Sequence, residues 1–187
     1  MESLLSFISQ KIHIESELLH GISNCFEQLE TKKGTILLEE GKTAKYLYFI
    51  EKGILHTSYN IDGKNVSSWF YDEYQCITSW SSFFAQKASF ESIECLEDCV
   101  LYRISHRNYQ KLVNDFPAFS HFARQLSEEI LIVIDEFSKS WAFLSAEEKY
   151  KVLLGYNPKI ELRVKLGLIA SFLGISQETL SRLRARV

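Results

Sequence analysis

The segment Val164–Arg186, VKLGLIASFLGISQETLSRLRAR, carries side chains of the types that hydrogen-bond nucleic acid. Gln177 brings an amide, Glu178 a carboxylate, Ser176, Thr179 and Ser181 hydroxyls, and Arg182, Arg184 and Arg186 guanidinium groups. The spacing around them is that of two short helices. Leu166, Ile169, Ala170 and Leu173 recur on one helical face. Gly174 ends that helix, because glycine takes the positive φ of a tight exit at little cost. Ser176 is an N-cap for a second helix that buries Leu180 and Leu183 and turns the polar residues in other directions. Ile175 before the cap and Leu180 four positions after it are placed for a hydrophobic staple. Small Ala170 and Gly174 let the two helices cross closely. Two readings fit this pattern: a helix-turn-helix that reads DNA, and a plain αα-hairpin that packs into a bundle.

Other chemistry is hard to find, and no enzyme is expected. The five histidines (His13, His20, His56, His106, His121) are scattered, and only His56 falls in a clear strand. There is no phosphate-binding glycine loop, no G-x-G-x-x-G and no G-x-S-x-G. The four cysteines (Cys25, Cys76, Cys95, Cys99) form no C-x-x-C pair, so they read as small buried apolar residues and no metal is expected. Charge is unevenly placed. Residues 145–187 hold eight Lys/Arg against four Asp/Glu, although the whole chain has a net charge of -3. A basic tail on an acidic body fits a protein that meets phosphate only at its end; a solvated basic face on a helix bundle fits as well. The N-terminus lacks the basic and long apolar parts of a signal peptide. No window approaches the roughly eighteen apolar residues of a membrane span. A cytoplasmic protein without membrane contact is expected.

The elements that must position the tail follow from the changing period. Residues 3–30 read as short helices, with stripes through Leu4, Leu5 and Ile8 and through Leu18, Leu19, Ile22 and Phe26. Segments 35–39, 46–51, 54–60, 65–71, 92–95 and 100–105 are short, rich in β-branched and aromatic residues, and separated by turns. Asp62-Gly63 is a strong hairpin signal. So many short strands without intervening helix predict an antiparallel barrel, roll or sandwich. From Phe119 the period is helical: Phe119, Phe122, Leu126, Ile130, Val133, Phe137, Trp141 and Leu144 step by threes and fours, near a coiled-coil seam. Around residues 130–134 the apolar residues surround the axis, so this helix is buried on more than one side. One face would cover the strands and the other a second subunit. Spanning about 117–143, it would be roughly 40 Å long. Ser145-Ala146-Glu147-Glu148 is a capping box opening a helix through Leu154 that Gly155 ends. Asn157-Pro158 then marks a turn. The expected domains are therefore 1–144, the β-roll with its long dimerisation helix, and 145–187.

This order of parts resembles the Crp/Fnr family of bacterial transcription regulators, over most of the chain. Two segments carry the resemblance. Lys33-Gly34-Thr35-Ile36-Leu37-Leu38-Glu39-Glu40-Gly41, followed by Tyr46-Leu47-Tyr48-Phe49-Ile50-Glu51-Lys52-Gly53, looks like the glycine-punctuated signature of cyclic-nucleotide-binding rolls. Ile169-Ala170, then Leu173-Gly174-Ile175-Ser176-Gln177-Glu178-Thr179-Leu180-Ser181-Arg182, is similar to the family's recognition motif. The resemblance implies an α+β fold: an N-terminal antiparallel β-roll (a jelly-roll-like double-stranded β-helix) with flanking helices, a long dimerisation helix and a C-terminal helix-turn-helix. That last module would be winged-helix-like. The short Lys159–Lys165 prelude and the end of the chain just after the second helix leave its wing reduced or absent. It further implies a homodimer on palindromic double-stranded DNA, and RNA polymerase as a partner. Gln177, Glu178 and Arg182 fall where the family reads base edges; Arg can bond guanine O6 and N7, and Glu can accept from cytosine N4. Ser176, Thr179, Arg184 and Arg186 would contact phosphate. Leu126, Ile130, Val133 and Phe137 would line the dimer helix.

The family's cyclic AMP site is where this sequence departs. The position of the ribose-binding Glu falls on Ser79 and that of the phosphate-binding Arg on Ser89, followed by Phe90 and Glu91. A buried cyclic phosphate without Arg loses its charge-assisted pair. The pocket reads as degenerate for cyclic AMP, open to another small ligand or filled by Trp80, Phe83, Phe84 and Phe90. The rival readings are a cyclic-nucleotide or small-ligand signalling module without DNA function, and a cupin-like metalloenzyme.

Overall fold

Turn chemistry between Thr31 and Cys99 breaks the chain into short strands that all pair antiparallel. The computed structural model describes residues 1–185. Two helices, α1 (Glu2–Ser9) and α2 (Ser16–Cys25), lead into β1 (Phe26–Thr31), β2 (Ile36–Leu38), β3 (Tyr46–Lys52), β4 (Leu55–Ile61), β5 (Lys64–Tyr71) and β6 (Cys76–Ile77). Helix α3 (Trp80–Ala85) separates these from β7 (Ser92–Cys95) and β8 (Cys99–Ser105). Next come α4 (His106–Asp115), α5 (Pro117–Ser140), a 3-10 turn at Trp141–Phe143, α6 (Ala146–Tyr156), α7 (Ile160–Arg163), α8 (Leu166–Leu173) and α9 (Gln177–Arg184). The strands make two sheets, in the orders β1-β8-β3-β6 and β2-β7-β4-β5. The architecture is α+β with an antiparallel roll, as expected.

The β4–β5 hairpin turns at Asp62 (φ 51°) and Gly63 (φ 80°), and the Asn60 side-chain carbonyl accepts from the Gly63 N–H at 2.9 Å. Positive φ at both central residues is the turn whose twist matches the strands, so the sequence signal had a direct backbone cause.

Several expectations need correction. Phe26 belongs to β1, not to a helical stripe: its N–H caps α2 on the Ile22 carbonyl, and residues 26–31 then pair with β8. FEQLET has little apolar alternation, and pairing with a central strand decides its state. Helix α4, not assigned from the sequence, is set by the Ser105 N-cap (Asn108 N–H to Ser105 Oγ, 3.2 Å) and by buried Tyr109 and Leu112. Gly155 lies inside α6, which ends instead at the Asn157-Pro158 turn. The long α-helix stops at Ser140, and a 3-10 turn completes the stretch to Phe143.

Helix α5 lies against the roll. Phe119, Phe122, Ala123 and Leu126 are in the main core with α1, α2, α4 and both sheets. Of the seam assigned to a partner subunit, Leu126 is buried there, Ile130 packs on it, and Val133 and Phe137 face a cavity under the helix. Periodicity marks the buried face without saying what buries it. The outward apolar residues are Leu131 and Ile132, exposed by 64% and 57%, while Ile134 borders the cavity.

A second core joins the roll to the C-terminal helices. Ile54, Phe70 and Leu96 of the roll share it with Tyr150, Leu153, Ile160, Ile169, Phe172 and Leu180. No helix among the described residues is long and apolar enough to cross a membrane.

Candidate functional site

Helices α8 and α9 meet through three local devices. Gly174 has φ 69°, which closes α8, and the Ile175 N–H reaches back to the Ala170 carbonyl at 3.0 Å. Ser176 caps α9 by accepting from the Thr179 N–H at 3.2 Å. Leu180 is fully buried, with Ile175 packed on the same cluster. The clearance between the helices is at Gly167, where a Cβ would sit 2.7 Å from the Gln177 amide nitrogen; no neighbour lies within 4 Å of one at Gly174. Gly174 therefore serves conformation, and the exposed Gln177 side chain beside Gly167 is free to move aside.

With Leu180 buried, α9 presents Gln177, Glu178, Ser181 and Arg182 to solvent on one face. Ser176 and Thr179 are also exposed, with their hydroxyls 3.0 Å apart. Arg184, expected at phosphate, is paired instead with Glu161 at 2.5 Å, and Tyr150 donates to the same carboxylate. Arg186 lies outside the described residues.

This helix pair is fastened to the roll by Arg163, at the end of α7. Its guanidinium donates to both oxygens of Glu73 (2.8 and 2.7 Å) and both of Glu97 (3.0 and 2.6 Å). Burial would raise the Glu73 carboxyl, but Arg163 and the Gly53 N–H outweigh it and hold its pKa at about 2. Beside this clamp the Ser67 N–H donates to Ser171 Oγ at 3.1 Å. An aromatic cluster completes the junction: Trp69 meets Phe137, Tyr156 and Phe172 edge-on, with ring centroids 4.6, 5.5 and 5.4 Å away. Nothing in the sequence pattern links Arg163 to Glu73 and Glu97, which are 90 and 66 positions away.

Under α5, between it and β4–β5, is a cavity of about 560 Å³. Trp69, Phe137 and Tyr156 of the junction line it, together with Tyr71, Trp80 and Glu91. Ser79 and Ser89, named from sequence, come together beside it: Ser89 Oγ donates to Ser79 Oγ at 2.8 Å, and both residues are almost wholly buried. Phe90 does not join them. It is 72% exposed and outside the cavity lining, and Phe84 is also exposed, so of the rings expected to fill the pocket only Phe83 is fully buried. Trp80 stands in the cavity wall. Among the described residues, no group of three or more His, Cys, Asp or Glu is placed to hold a metal ion.

Residues 28–116, from β1 to the end of α4, match the family model of the cyclic nucleotide-binding domain. Solved structures extend the likeness over the whole fold. FixK2 from Bradyrhizobium japonicum aligns with a TM-score of 0.72 at 14% identity, over 86% of this chain and 83% of that one. The c-di-GMP responsive global regulator CLP of Xanthomonas campestris aligns with a TM-score of 0.66 at 16% identity, over 92% and 91%. A chain described as a transcriptional regulator of the Crp/Fnr family from Eubacterium rectale aligns with a TM-score of 0.64 at 19% identity, over 92% and 83%. None of the curated proteins matches the sequence. At these identities the likeness shows the fold.

Among the described residues, no Lys, Arg or His lines the cavity, whereas Glu91 and Glu129 do. A phosphate monoanion placed there would meet carboxylates and no charge-assisted donor.

Proposed function

We propose that this protein is a homodimeric, sequence-specific DNA-binding transcription regulator of the Crp/Fnr type, working in the cytoplasm. The observation that carries this reading is the state of α9: capped, anchored by Leu180, and with Gln177, Glu178, Ser181 and Arg182 on one solvent face. In this reading α8 and α9 are a helix-turn-helix, and α9 lies in the major groove. Gln177, Glu178 and Arg182 read base edges, while Ser176 and Thr179 at the helix start reach phosphate. Arg184 acts within the module by fixing Glu161. The outward face of α5, with Leu131 and Ile132, is the dimer seam, setting two recognition helices roughly 34 Å apart on a palindromic site. RNA polymerase is the further partner at a promoter.

The signal in this reading is not cyclic AMP, because the cavity lacks a basic partner for its phosphate. A different small ligand in the cavity would touch Trp69, Phe137 and Tyr156, the same rings that hold the C-terminal helices. It would act by shifting the population of two helix-pair orientations.

The test is fluorescence anisotropy of the full chain on duplex DNA across a salt series. Affinity should fall steeply with salt, as counterion release requires. On a selected site, Arg182→Ala should cost about 1–3 kcal/mol and relax specificity at its base pair. Absence of salt-dependent binding would favour a ligand-binding module without DNA function.

A further inference from the structure

The charges around the α5 cavity point to one ligand class. Among the described residues, two carboxylates line it and no basic side chain does. They differ in one respect. Glu129 is neutralised by Lys11 at the α1 end. No Lys, Arg or His among the described residues pairs with the Glu91 carboxylate. Glu91 is nevertheless firmly held. Ser89 Oγ, whose proton goes to Ser79 Oγ, accepts from the Glu91 N–H at 3.1 Å. Burial raises its carboxyl and the Ser79 hydroxyl lowers it in part. The Ser79–Ser89 pair, standing where the family would bind a nucleotide, here supports an acid. A partly buried carboxylate without a counter-charge is costly, and a cationic guest would offset that cost.

The walls fit the same guest. Tyr71 and Trp80 stand beside Glu91 in the lining, and Tyr59 and Tyr156 extend the aromatic surface. The Tyr71 hydroxyl is pushed up by burial first and by Glu91 second, so it stays neutral beside the acid. Ring faces carry negative quadrupole potential and attract a desolvated ammonium. Ile130, Val133 and Ile134 of α5 supply an apolar side for a hydrocarbon body.

We propose that the cavity binds an organic cation, an ammonium borne on an aromatic or alkyl body, with Glu91 as its counter-charge and the surrounding rings as its walls. This deepens the reading of the chain as a ligand-responsive regulator. The binding itself is independent of DNA, so it is measured without DNA and stands or falls separately from the DNA assignment.

The full chain is titrated with benzyltrimethylammonium, with benzyl alcohol and with phenylacetate, following the fluorescence of Trp69 and Trp80 and the heat of binding. Benzyltrimethylammonium should saturate in the micromolar to low-millimolar range, benzyl alcohol should bind more weakly, and phenylacetate should not bind. Glu91→Gln, which keeps side-chain shape, should weaken the ammonium about tenfold and leave benzyl alcohol unchanged. Glu129→Gln serves as the comparison and should have a smaller effect, since Lys11 already pairs that acid. A thermal melt shows that each variant is folded. No saturable ammonium binding, phenylacetate binding as tight as the ammonium, or an ammonium affinity indifferent to Glu91→Gln would each overturn the proposal.

Discussion

Replacing Arg163 by Met removes the ion pair that ties α7 to the roll while keeping most of the aliphatic stem. In the parent, the Glu73 carboxyl is held at about 2 against an ordinary 4.5. A shift of that size corresponds to about 3 kcal/mol of stability at neutral pH. The Glu73 and Glu97 side chains are only 28% and 29% exposed, so screening removes part of this, not all. Removing the guanidinium also leaves two carboxylates facing one another, with the Gly53 N–H still donating to Glu73 at 2.8 Å. The expected loss is therefore about 2–3 kcal/mol. Its pH dependence has a definite sign. A depressed carboxyl stabilises the fold above the unfolded pKa of 4.5, and that contribution is lost as pH falls through about 2. The gap between parent and variant should thus be full at pH 7 and close in strong acid. Urea unfolding at several pH values measures it. Amide exchange in α8 and α9 should quicken more than in β3 and β8, because the clamp holds the C-terminal helices and not the roll itself. A double-mutant cycle with Glu73→Gln should return a coupling of about 2 kcal/mol. A coupling under about 0.5 kcal/mol, or equal acceleration of exchange everywhere, would refute the reasoning.

His56 gives a second pH test: it is buried against Phe70, neither ring nitrogen has a partner, and burial lowers its pKa to about 4. The unfolded chain takes up that proton first, so stability is full above about 6.5 and falls as pH drops to about 4, by about 3 kcal/mol in all. His56→Phe should flatten the stability profile between pH 7 and 5 as followed by urea unfolding; a parallel decline in both proteins would count against this account. Leu131→Glu places a charge on the outward face of α5 and should shift light-scattering mass to the monomer with little change in protomer fold; an unchanged dimer would move the seam elsewhere.

Legibility from sequence divided along physical lines. The β4–β5 hairpin, the Ser145 capping box, and the Gly174 exit with its Ser176 cap were readable because each is fixed by a few neighbouring residues. Strand β1 and helix α4 were not, since FEQLET and HRNYQKLVND owe their state to β8 and to the core they cover. Ser79 and Ser89 were placed together by a family pattern, and they do touch; Phe90 was placed with them and points away. The Arg163 clamp joins residues far apart in the chain through no periodic signal, and the role of Glu91 emerges only once its neighbours are known. Local backbone chemistry is written in short strings of residues, whereas counter-charges and cavities are properties of the assembled fold.

The most direct test of the central reading is selection of bound sequences from random duplex DNA with the purified full chain. A homodimer presenting α9 to the major groove should enrich a palindrome whose half-sites are about one helical turn apart, and Arg182→Ala should lose preference at one position in each half. Recovery of unenriched DNA, or of the same motif with and without Arg182, would contradict it.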